Sequence, residues 1–451
     1  MNLARALGIK AGDVVAFVGA GGKTQSMFRL ADDLVRQGMR VITTTTVFVP
    51  EDDLRYAPQR VGFGHGMMLP ESLPEQVEQH RQVFVFAKLE KGGKVRGVRP
   101  AWLDANLAPA SYKDVLLVKA DEAQRLSLKA PLPHEPAMPE SATIVVPVAG
   151  LDVLGRPMDE RNVYGAEMIY QLTGHPIGRP VSTLVIAALL MHPELSLKRV
   201  PAGARILPLL NHVTAGSLPQ AREIAGYVLT EPHVEGVLIG EVRGPDPIWE
   251  IRRRVGAIIL AAGESKRMGY PKMLLPWGET TIIRHMCEQV LDCGLHEVVV
   301  VTGDWADAVR AQVEDLPVRV VFNPEYAQGE MISSLRTGLE AIWHSSDACL
   351  VVLGDQPLLT AEAIQAVTQA YFDGYGDIVA PHYGGRQGHP VLFDRQYWEE
   401  LAALRQGSAP RDVLQTHQNA IHYVTVSTDM VVRDIDTPDD YKQARRESGQ
   451  E

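Results

Sequence analysis

The sequence predicts an α/β protein of two domains, each with a mostly parallel sheet flanked by helices. At 451 residues the chain exceeds the usual size of a single hydrophobic core. An apolar run that ends in a glycine-containing loop occurs twice, at residues 14–18 and 257–260. After each loop, apolar residues at helical spacing alternate with further short apolar runs, which is the pattern of parallel βαβ units.

The composition excludes several classes of protein. Hydrophobic residues make up 45% of the chain and charged residues 22%, as in ordinary globular proteins. The formal net charge is −11, so we expect no general nucleic-acid-binding surface. No apolar run approaches the roughly 18 residues that cross a bilayer, and the first residues lack the apolar core of a secretion signal. Three cysteines without a C-x-x-C pair fit a reducing cytoplasm, where we expect the protein.

The first glycine loop follows the predicted strand at residues 14–18 and reads G-A-G-G-K-T. A helix around residues 27–34 and a strand at residues 41–45 complete a βαβ unit. Because the loop ends in G-K-T, as a Walker A loop does, its lysine can reach phosphates and its threonine can bind Mg²⁺. The alternative is a structural glycine turn with a solvated lysine, since Phe17 stands where the full motif has glycine. The candidate phosphate-binding residues are Gly19, Gly21, Gly22, Lys23 and Thr24.

Three more apolar runs predict strands of the same sheet, at residues 83–87, 115–120 and 144–149. The second of them ends in Asp121. A carboxylate at the end of a strand can lie near the Mg²⁺ of a Walker-type site, and it can equally be a capping or turn aspartate. Both interpretations of Asp121 stay open at this point.

A family resemblance in the N-terminal half rests on four segments: V-G-A-G-G-K-T, T-T-T-T, K-A-D-E-A-Q-R-L-S-L-K-A-P and V-A-G-L-D-V-L-G-R-P. Together they resemble the YqeC-type accessory proteins that are linked to selenium-dependent molybdenum hydroxylases. The resemblance implies a P-loop-like accessory domain, with a recipient molybdenum hydroxylase as a partner.

The break between the two halves is expected near residue 250. A last strand of the first half is predicted at residues 237–240, and the glycine and prolines of G-P-D-P follow it. We therefore predict domains at residues 1–250 and 251–451. The basic triplet at residues 252–254 is interpreted as a solvated linker.

The second glycine loop lies within residues 255–272, which read V-G-A-I-I-L-A-A-G-E-S-K-R-M-G-Y-P-K. A buried strand here turns into small residues that leave the backbone open to a ligand. Arg267 and Lys272 follow within one short loop. Backbone N–H groups beside two fixed cations suit a triphosphate.

The rest of the C-terminal half alternates helices at residues 282–294 and 306–313 with strands at residues 297–302 and 318–322. This order predicts a parallel sheet, and ligands bind such sheets beyond the carboxyl ends of the strands. One further apolar run ends in Gly354 and Asp355. Because Mg²⁺ prefers carboxylate oxygens and neutralises a triphosphate, Asp355 is the first choice for a metal ligand.

Two other loops contain polar residues of interest. Gly329 precedes Ser333 and Ser334, which can meet a base and ribose or can cap a helix. In the segment G-G-R-Q-G-H-P, the glycines let the backbone approach an acceptor molecule, and Arg386 can meet its phosphate.

The string L-A-A-G-E-S-K-R-M-G-Y-P-K resembles the signature of the MobA-like nucleotidyltransferases and, within them, the molybdenum cofactor cytidylyltransferases. The motifs G-D-Q-P and G-H-P-V-L-F extend this resemblance across the C-terminal half. It implies a Rossmann-like nucleotidyltransferase domain that transfers CMP from CTP to the molybdopterin cofactor, with release of pyrophosphate.

The same resemblance implies roles for individual residues. The residues that it implies for nucleotide binding are Leu260, Ala261, Ala262, Gly263, Arg267, Lys272, Gly329, Ser334 and Gly354. The residues that it implies for acceptor binding are Arg386, Gly388, His389 and Pro390. It implies Arg267, Lys272 and Asp355 as catalytic residues and Asp355 and Asp436 as ligands of Mg²⁺. The role of His389 is orientation and hydrogen bonding rather than proton transfer.

Two alternative functions remain open from the sequence. One is guanylyl or sugar-phosphate nucleotidyl transfer on the same scaffold. The other is a non-catalytic chaperone that binds the cofactor for selenium-dependent molybdenum hydroxylases.

Overall fold

The structure, a computed structural model, describes residues 1–64, 68–108, 110–263, 268–328 and 330–450. It divides into two compact units, Met1–Arg252 and Arg253–Glu451. Each unit has a sheet rich in parallel pairs with helices packed against it. The predicted α/β fold class is therefore confirmed. Within the described residues, no helix combines the length and apolar character that a bilayer span requires.

The strands of the N-terminal unit are β1 (Val14–Gly19), β2 (Val41–Thr45), β3 (Phe48–Pro50), β4 (Gln59–Gly62), β5 (Gln82–Phe86), β6 (Lys88–Glu90), β7 (Lys94–Arg96), β8 (Val115–Lys119), β9 (Leu128–Lys129), β10 (Ile144–Gly150), β11 (Val163–Tyr164), β12 (Arg205–Ile206), β13 (Leu209–Asn211), β14 (Val237–Gly240) and β15 (Ile248–Arg252). Its helices are α1 (Leu3–Leu7), α2 (Lys23–Arg36), α3 (Leu73–His80), α4 (Pro100–Asn106), α5 (Ala166–Thr173), α6 (Thr183–Met191) and α7 (Leu218–Val228).

Strand β1 lies in the middle of the N-terminal sheet, whose order is β15-β14-β13-β10-β1-β8-β2-β5-β4, with β12 also paired to β10. The described pairs of this sheet are parallel except β14 with β15. Every residue of β1 is buried, as expected for a strand with helices on both faces of its sheet. Because β1 and β8 are parallel neighbours, the glycine loop after β1 lies beside Asp121, which follows β8.

The strands of the C-terminal unit are β16 (Val255–Ala261), β17 (Pro276–Trp277), β18 (Thr280–Thr281), β19 (Glu297–Thr302), β20 (Arg319–Phe322), β21 (Ala348–Leu353), β22 (Ile378–Tyr383), β23 (Arg386–Gln387), β24 (Val391–Asp394) and β25 (Ile421–Thr425). Its helices are α8 (Ile282–Leu291), α9 (Ala306–Val313), α10 (Glu330–Ile342), α11 (Ala361–Phe372), α12 (Trp398–Ala403), α13 (Pro410–Thr416) and α14 (Pro438–Glu447).

The C-terminal sheet has the order β20-β19-β16-β21-β24-β22-β23, with β25 beside β22. Strands β20, β19, β16 and β21 are parallel, whereas β24 is antiparallel to β21, with Val391 opposite Val351. Since β24 runs in the opposite direction, its amino end lies at the same edge as the carboxyl ends of β16 and β21. The topology therefore brings His389 and Pro390, which precede β24, to the edge that holds Asp355.

The predicted secondary structure is close to the observed one. Helix α8 is shorter than predicted and ends at Leu291. The reason is Gly294, whose positive φ of 64° is a left-handed conformation that an α-helix does not continue through.

The interpretation of the basic triplet as a solvated linker is wrong. Arg254 forms an ion pair with Asp347 at 3.1 Å, and Arg253 forms one with Asp394 at 3.0 Å. Arg252 lies 3.6 Å from Glu250. The sequence did not reveal these pairs because two of the three carboxylates come from distant segments.

Candidate active site

Three of the predicted residues of the C-terminal unit converge at one point. The Nζ of Lys272 lies 2.7 Å from an oxygen of Asp436 and 3.3 Å from an oxygen of Asp355. Lys272 is 9% exposed and begins a short 3₁₀ turn, residues Lys272–Leu274. The turn is held by Met273, whose sulfur packs against Gly354 at the end of β21. Apolar packing thus places one cation between two carboxylates.

The surroundings of Asp355 disfavour its charged form. Burial raises its pKa, the charge of Lys272 lowers it, and the neighbouring Asp434 raises it further, with a net increase. The site therefore holds a carboxylate whose negative charge is poorly solvated. A divalent cation stabilises such a carboxylate more than a singly charged ammonium group does.

The two carboxylates fit a divalent cation. Both lie within reach of one ammonium group, so both can reach one metal ion. The described part of the chain contains no group of three or more histidine, cysteine, aspartate or glutamate residues able to hold a metal. Mg²⁺ characteristically takes one or two protein carboxylates and completes its shell with water and substrate phosphates, so a two-carboxylate site suits it.

The small-residue loop after β16 begins beside this site. The N–H of Gly354 donates to the carbonyl of Leu260 at 3.0 Å, and a Cβ at Gly354 would lie 2.8 Å from that oxygen. Ala261 and Ala262 are buried, whereas a Cβ at Gly263 would meet no atom of the described residues within 4 Å. The described residues therefore leave the backbone open at Gly263.

Two predicted nucleotide-binding residues, Arg267 and Gly329, lie outside the described residues. Ser334 is described and lies inside α10, 5% exposed. The alternative that it caps this helix, or that Ser333 does, is wrong because α10 already begins at Glu330. Instead, the amide of Asn323 donates to both serine hydroxyls, at 2.8 and 3.0 Å.

The predicted acceptor segment divides into an exposed and a buried part. Arg386 is exposed at the end of a hairpin whose turn residues, Gly384 and Gly385, have φ values of 56° and 84°. Gly388 is packed so tightly that a Cβ would lie 2.3 Å from the carbonyl of Val431. That same carbonyl accepts a hydrogen bond from the backbone N–H of His389 at 2.8 Å.

The side chain of His389 is held in an environment that favours the neutral imidazole. Burial lowers its pKa, and the charge of Asp434 opposes that effect only in part. A neutral imidazole supplies one donor and one acceptor of hydrogen bonds. Pro390 beside it is buried.

Asp434 and Gln356 also belong to this site and were not predicted from the sequence. The amide of Gln356, a residue 1% exposed, donates to Asp434 at 2.6 Å. The N–H of Ile435 donates to the carbonyl of Asp355 at 3.1 Å, which joins the two loops. The D-I-D string indicates Asp434 as a site residue, because Ile435, which is buried, lies between two carboxylates in the sequence.

The glycine loop of the N-terminal unit differs from the expected phosphate loop. Its first N–H groups are already bound within the protein, Gly19 to Asp121 at 2.8 Å and Gly21 to the carbonyl of Leu126 at 3.1 Å. Lys23 is 4% exposed, donates to the carbonyl of Gly19 and lies 2.7 Å from Asp121. The alternative of a solvated lysine is therefore wrong.

Asp121 is one member of a buried chain of alternating charges. Lys129 lies 3.5 Å from Asp121 and 2.6 Å from Glu135, and its side chain is fully buried. Burial lowers the pKa of Lys23 to about 8, although Asp121 raises it. These buried charged side chains connect β1 and β8 to the loop that follows β8.

Replacing Asp121 by alanine is expected to lower the free energy of unfolding by about 3–5 kcal/mol, because Lys23 loses its buried carboxylate partner. Urea denaturation followed by circular dichroism measures this. The control is Asp32→Ala, since the ion pair of Asp32 is with Arg36 at the surface and its side chain is 50% exposed. We expect the control to change stability by no more than about 0.5 kcal/mol. Equal effects of both substitutions would contradict the role of the buried chain.

Comparison with known proteins identifies both units. The model of the MobA-like NTP transferase domain matches residues 257–421, and that of the YqeC protein matches residues 15–167. The YqeC protein of Escherichia coli (strain K12) is 31% identical over 233 residues, which are 51% of this chain and 88% of that protein.

Two of the other relatives are matched over about the length of the C-terminal unit. The molybdenum cofactor cytidylyltransferase of Escherichia coli (strain K12) is 29% identical over 197 residues, 42% of this chain and 95% of that protein. The nicotine blue oxidoreductase of Paenarthrobacter nicotinovorans is 32% identical over 191 residues, 41% of this chain and 92% of that protein. The chain is therefore a nucleotidyltransferase that belongs to the YqeC family in its N-terminal half and to the MobA-like NTP transferase family in its C-terminal half.

Proposed function

We propose that the C-terminal unit transfers CMP from CTP to the molybdopterin cofactor, in the cytoplasm, for the maturation of molybdenum hydroxylases. The observation that carries the proposal is the position of Lys272 between Asp355 and Asp436, beyond the carboxyl ends of β16 and β21. This is where open α/β sheets bind their ligands. The similarity to a molybdenum cofactor cytidylyltransferase supports the choice of substrates.

The reaction requires positioning and charge stabilisation rather than a covalent intermediate. A phosphate oxygen of the acceptor attacks the α-phosphorus of CTP, a new P–O bond forms, and the bond to the β-phosphate oxygen breaks. Pyrophosphate leaves with the electron pair of that bond. Mg²⁺ held by Asp355 and Asp436 supplies neutralisation of the triphosphate charge.

The residues of the chain have distinct roles in this proposal. Lys272 exchanges its carboxylate partners for phosphate oxygens of the nucleotide and stabilises the departing pyrophosphate. The open backbone at Gly263 approaches the nucleotide. His389, as a neutral imidazole, orients the acceptor by hydrogen bonding. Arg386, on its exposed hairpin, meets the acceptor's phosphate.

Pyrophosphate release with molybdopterin as acceptor tests the base preference. We expect kcat/KM for CTP to exceed the values for GTP and UTP by about tenfold or more, which corresponds to about 1.4 kcal/mol of differential transition-state binding. Equal turnover of GTP would replace the cytidylyl assignment by the guanylyl alternative. A redox change of a substrate without pyrophosphate release would instead favour the chemistry named for the oxidoreductase relative.

The chaperone alternative is tested by hydroxylase maturation in cells. If transfer is the essential role, a chain with Asp355 replaced by asparagine will bind the cofactor but will not support an active recipient hydroxylase. Normal maturation by that variant would show that cofactor binding alone is sufficient.

A further inference from the structure

The N-terminal unit contains a cavity of about 650 Å³ beyond the carboxyl ends of β1 and β8. Its walls include the amino end of α2 at Gly22 and Thr24, together with Lys119 from the end of β8. Loops from two other parts of the unit, residues 122–127 and 50–56, complete it. The volume is typical of pockets that bind small organic molecules.

Basic side chains outnumber acidic ones in the lining of the cavity, although the chain is acidic overall, with a formal net charge of −11. The described lining residues include five basic and three acidic side chains, and one of the five is Lys23, whose charge Asp121 compensates. Arg125 and Arg243 are exposed at the cavity, and neither forms an ion pair with any described residue. Lys119, in contrast, is 8% exposed and donates to Thr24 at 3.0 Å and Asp53 at 3.2 Å.

The backbone around the cavity adopts strained conformations. Gln124, Arg125 and His212 have φ values of 45°, 64° and 57°. They are three of the five non-glycine residues with positive φ in the described part of the chain, and all three line this one cavity. Left-handed backbone costs free energy for residues with a side chain, and it concentrates at ligand sites.

Hydrogen bonds from other parts of the unit stabilise these backbone conformations. Lys129 donates to the carbonyl of Glu122, and the N–H of Glu122 donates to Glu135 at 3.2 Å. These contacts anchor the loop at its start. The loop that presents Arg125 is thus fixed by the same buried chain of charges that binds Lys23.

A histidine in the cavity wall has one ring nitrogen available. The Nδ1 of His212 lies 2.9 Å from Asp152, and this hydrogen bond lowers the pKa of Asp152 to about 2. The Nε2 of His212 is buried and has no partner among the described residues. A buried polar atom without a partner, in the wall of an open cavity, is a position where a ligand atom gains a hydrogen bond.

We propose that this cavity is a second ligand site, which binds an organic di- or triphosphate independently of the nucleotidyltransferase site. The amino end of α2 and Lys119 meet the phosphate groups from inside the cavity. Arg125 and Arg243 meet them from its rim. Lys23 pairs with Asp121, stabilises the loop and does not contact the ligand. In this respect the site differs from a Walker A loop, whose lysine reaches the phosphates.

Isothermal titration calorimetry on the full chain tests the proposal, with ATP, GTP, CTP and pyrophosphate as probes in the presence of Mg²⁺. The wild-type chain is expected to bind two equivalents of at least one probe. In the Arg125→Gln/Arg243→Gln double variant, the second site is expected to weaken by about tenfold or more. Both arginines are exposed, so the variant retains its fold.

A matched control and a second variant complete the test. The control is Arg60→Gln/Arg156→Gln, which removes two exposed charges outside the cavity and should keep both sites. Lys119→Met should abolish the second site, and CTP-dependent pyrophosphate release should be unchanged in every variant of this set.

The identity of the tightest probe assigns the ligand. Tightest binding of pyrophosphate indicates that the diphosphate group alone is recognised, and tightest binding of one nucleotide indicates recognition of its base. A single site per chain, with the same affinity in the wild type and in the Arg125→Gln/Arg243→Gln variant, would overturn the proposal.

Discussion

Replacing Asp355 by asparagine is expected to lower kcat/KM for pyrophosphate release by about 10²–10³-fold. The substitution keeps the size of the side chain and removes the charge that a divalent cation needs. Because burial raises the pKa of Asp355, its negative charge lowers the stability of the folded state at neutral pH. The asparagine variant is therefore expected to unfold at the same denaturant concentration as the wild type or a higher one.

The control for this prediction is Asp292→Asn, which changes an exposed aspartate at the end of α8. It should leave both activity and stability unchanged. Steady-state kinetics and urea denaturation measure the two quantities on the same samples. A loss of activity that parallels a loss of stability would mean that Asp355 holds the fold rather than the metal.

Replacing Lys272 by methionine is expected to reduce kcat/KM by about 10²-fold and to strengthen the binding of Mg²⁺. The ammonium group of Lys272 lies between Asp355 and Asp436 and competes with a divalent cation for both carboxylates. Without it, the carboxylates repel each other until a cation binds. Added Mg²⁺ or Mn²⁺ should therefore stabilise the methionine variant more than the wild type.

The change in unfolding temperature on addition of MgCl₂ measures this difference, with KCl at the same ionic strength as the salt control. The matched variant is Lys442→Met, because Lys442 is an exposed lysine of α14. Its response to Mg²⁺ should equal that of the wild type. An equal response in the Lys272→Met variant would show that the metal does not share the carboxylates with Lys272.

The fold was largely predictable because its sheets consist of strands that are buried on both faces. Such strands appear in the sequence as short continuous apolar runs, and β2, β14 and β19 have the predicted bounds. The strand order was not predictable, since it depends on pairing between distant segments. The antiparallel position of β24 is the important case, because it alone brings His389 to the edge that holds Asp355.

Parts of the candidate site were predictable for a similar reason. Lys272 and Asp355 follow apolar runs that end at the ligand-binding edge of a sheet. The alternative of a solvated Lys23 was wrong, and its burial was not predictable because the sequence does not show that Asp121, 98 positions later, is its buried partner. The alternative that Ser334 caps a helix was wrong because α10 begins four residues earlier, at Glu330.

The sequence by itself determined the α/β class, the two families and the residues that carry charge at the ends of the strands. These follow from local order: apolar runs, glycine loops and motif strings are properties of neighbouring residues. Only the tertiary structure decided which charges meet. It placed Lys272 between two carboxylates 81 residues apart, buried Lys23 against Asp121, and left Arg125 and Arg243 without ion-pair partners among the described residues at the N-terminal cavity. Long-range electrostatics depends on distance in space, which chain order does not encode directly.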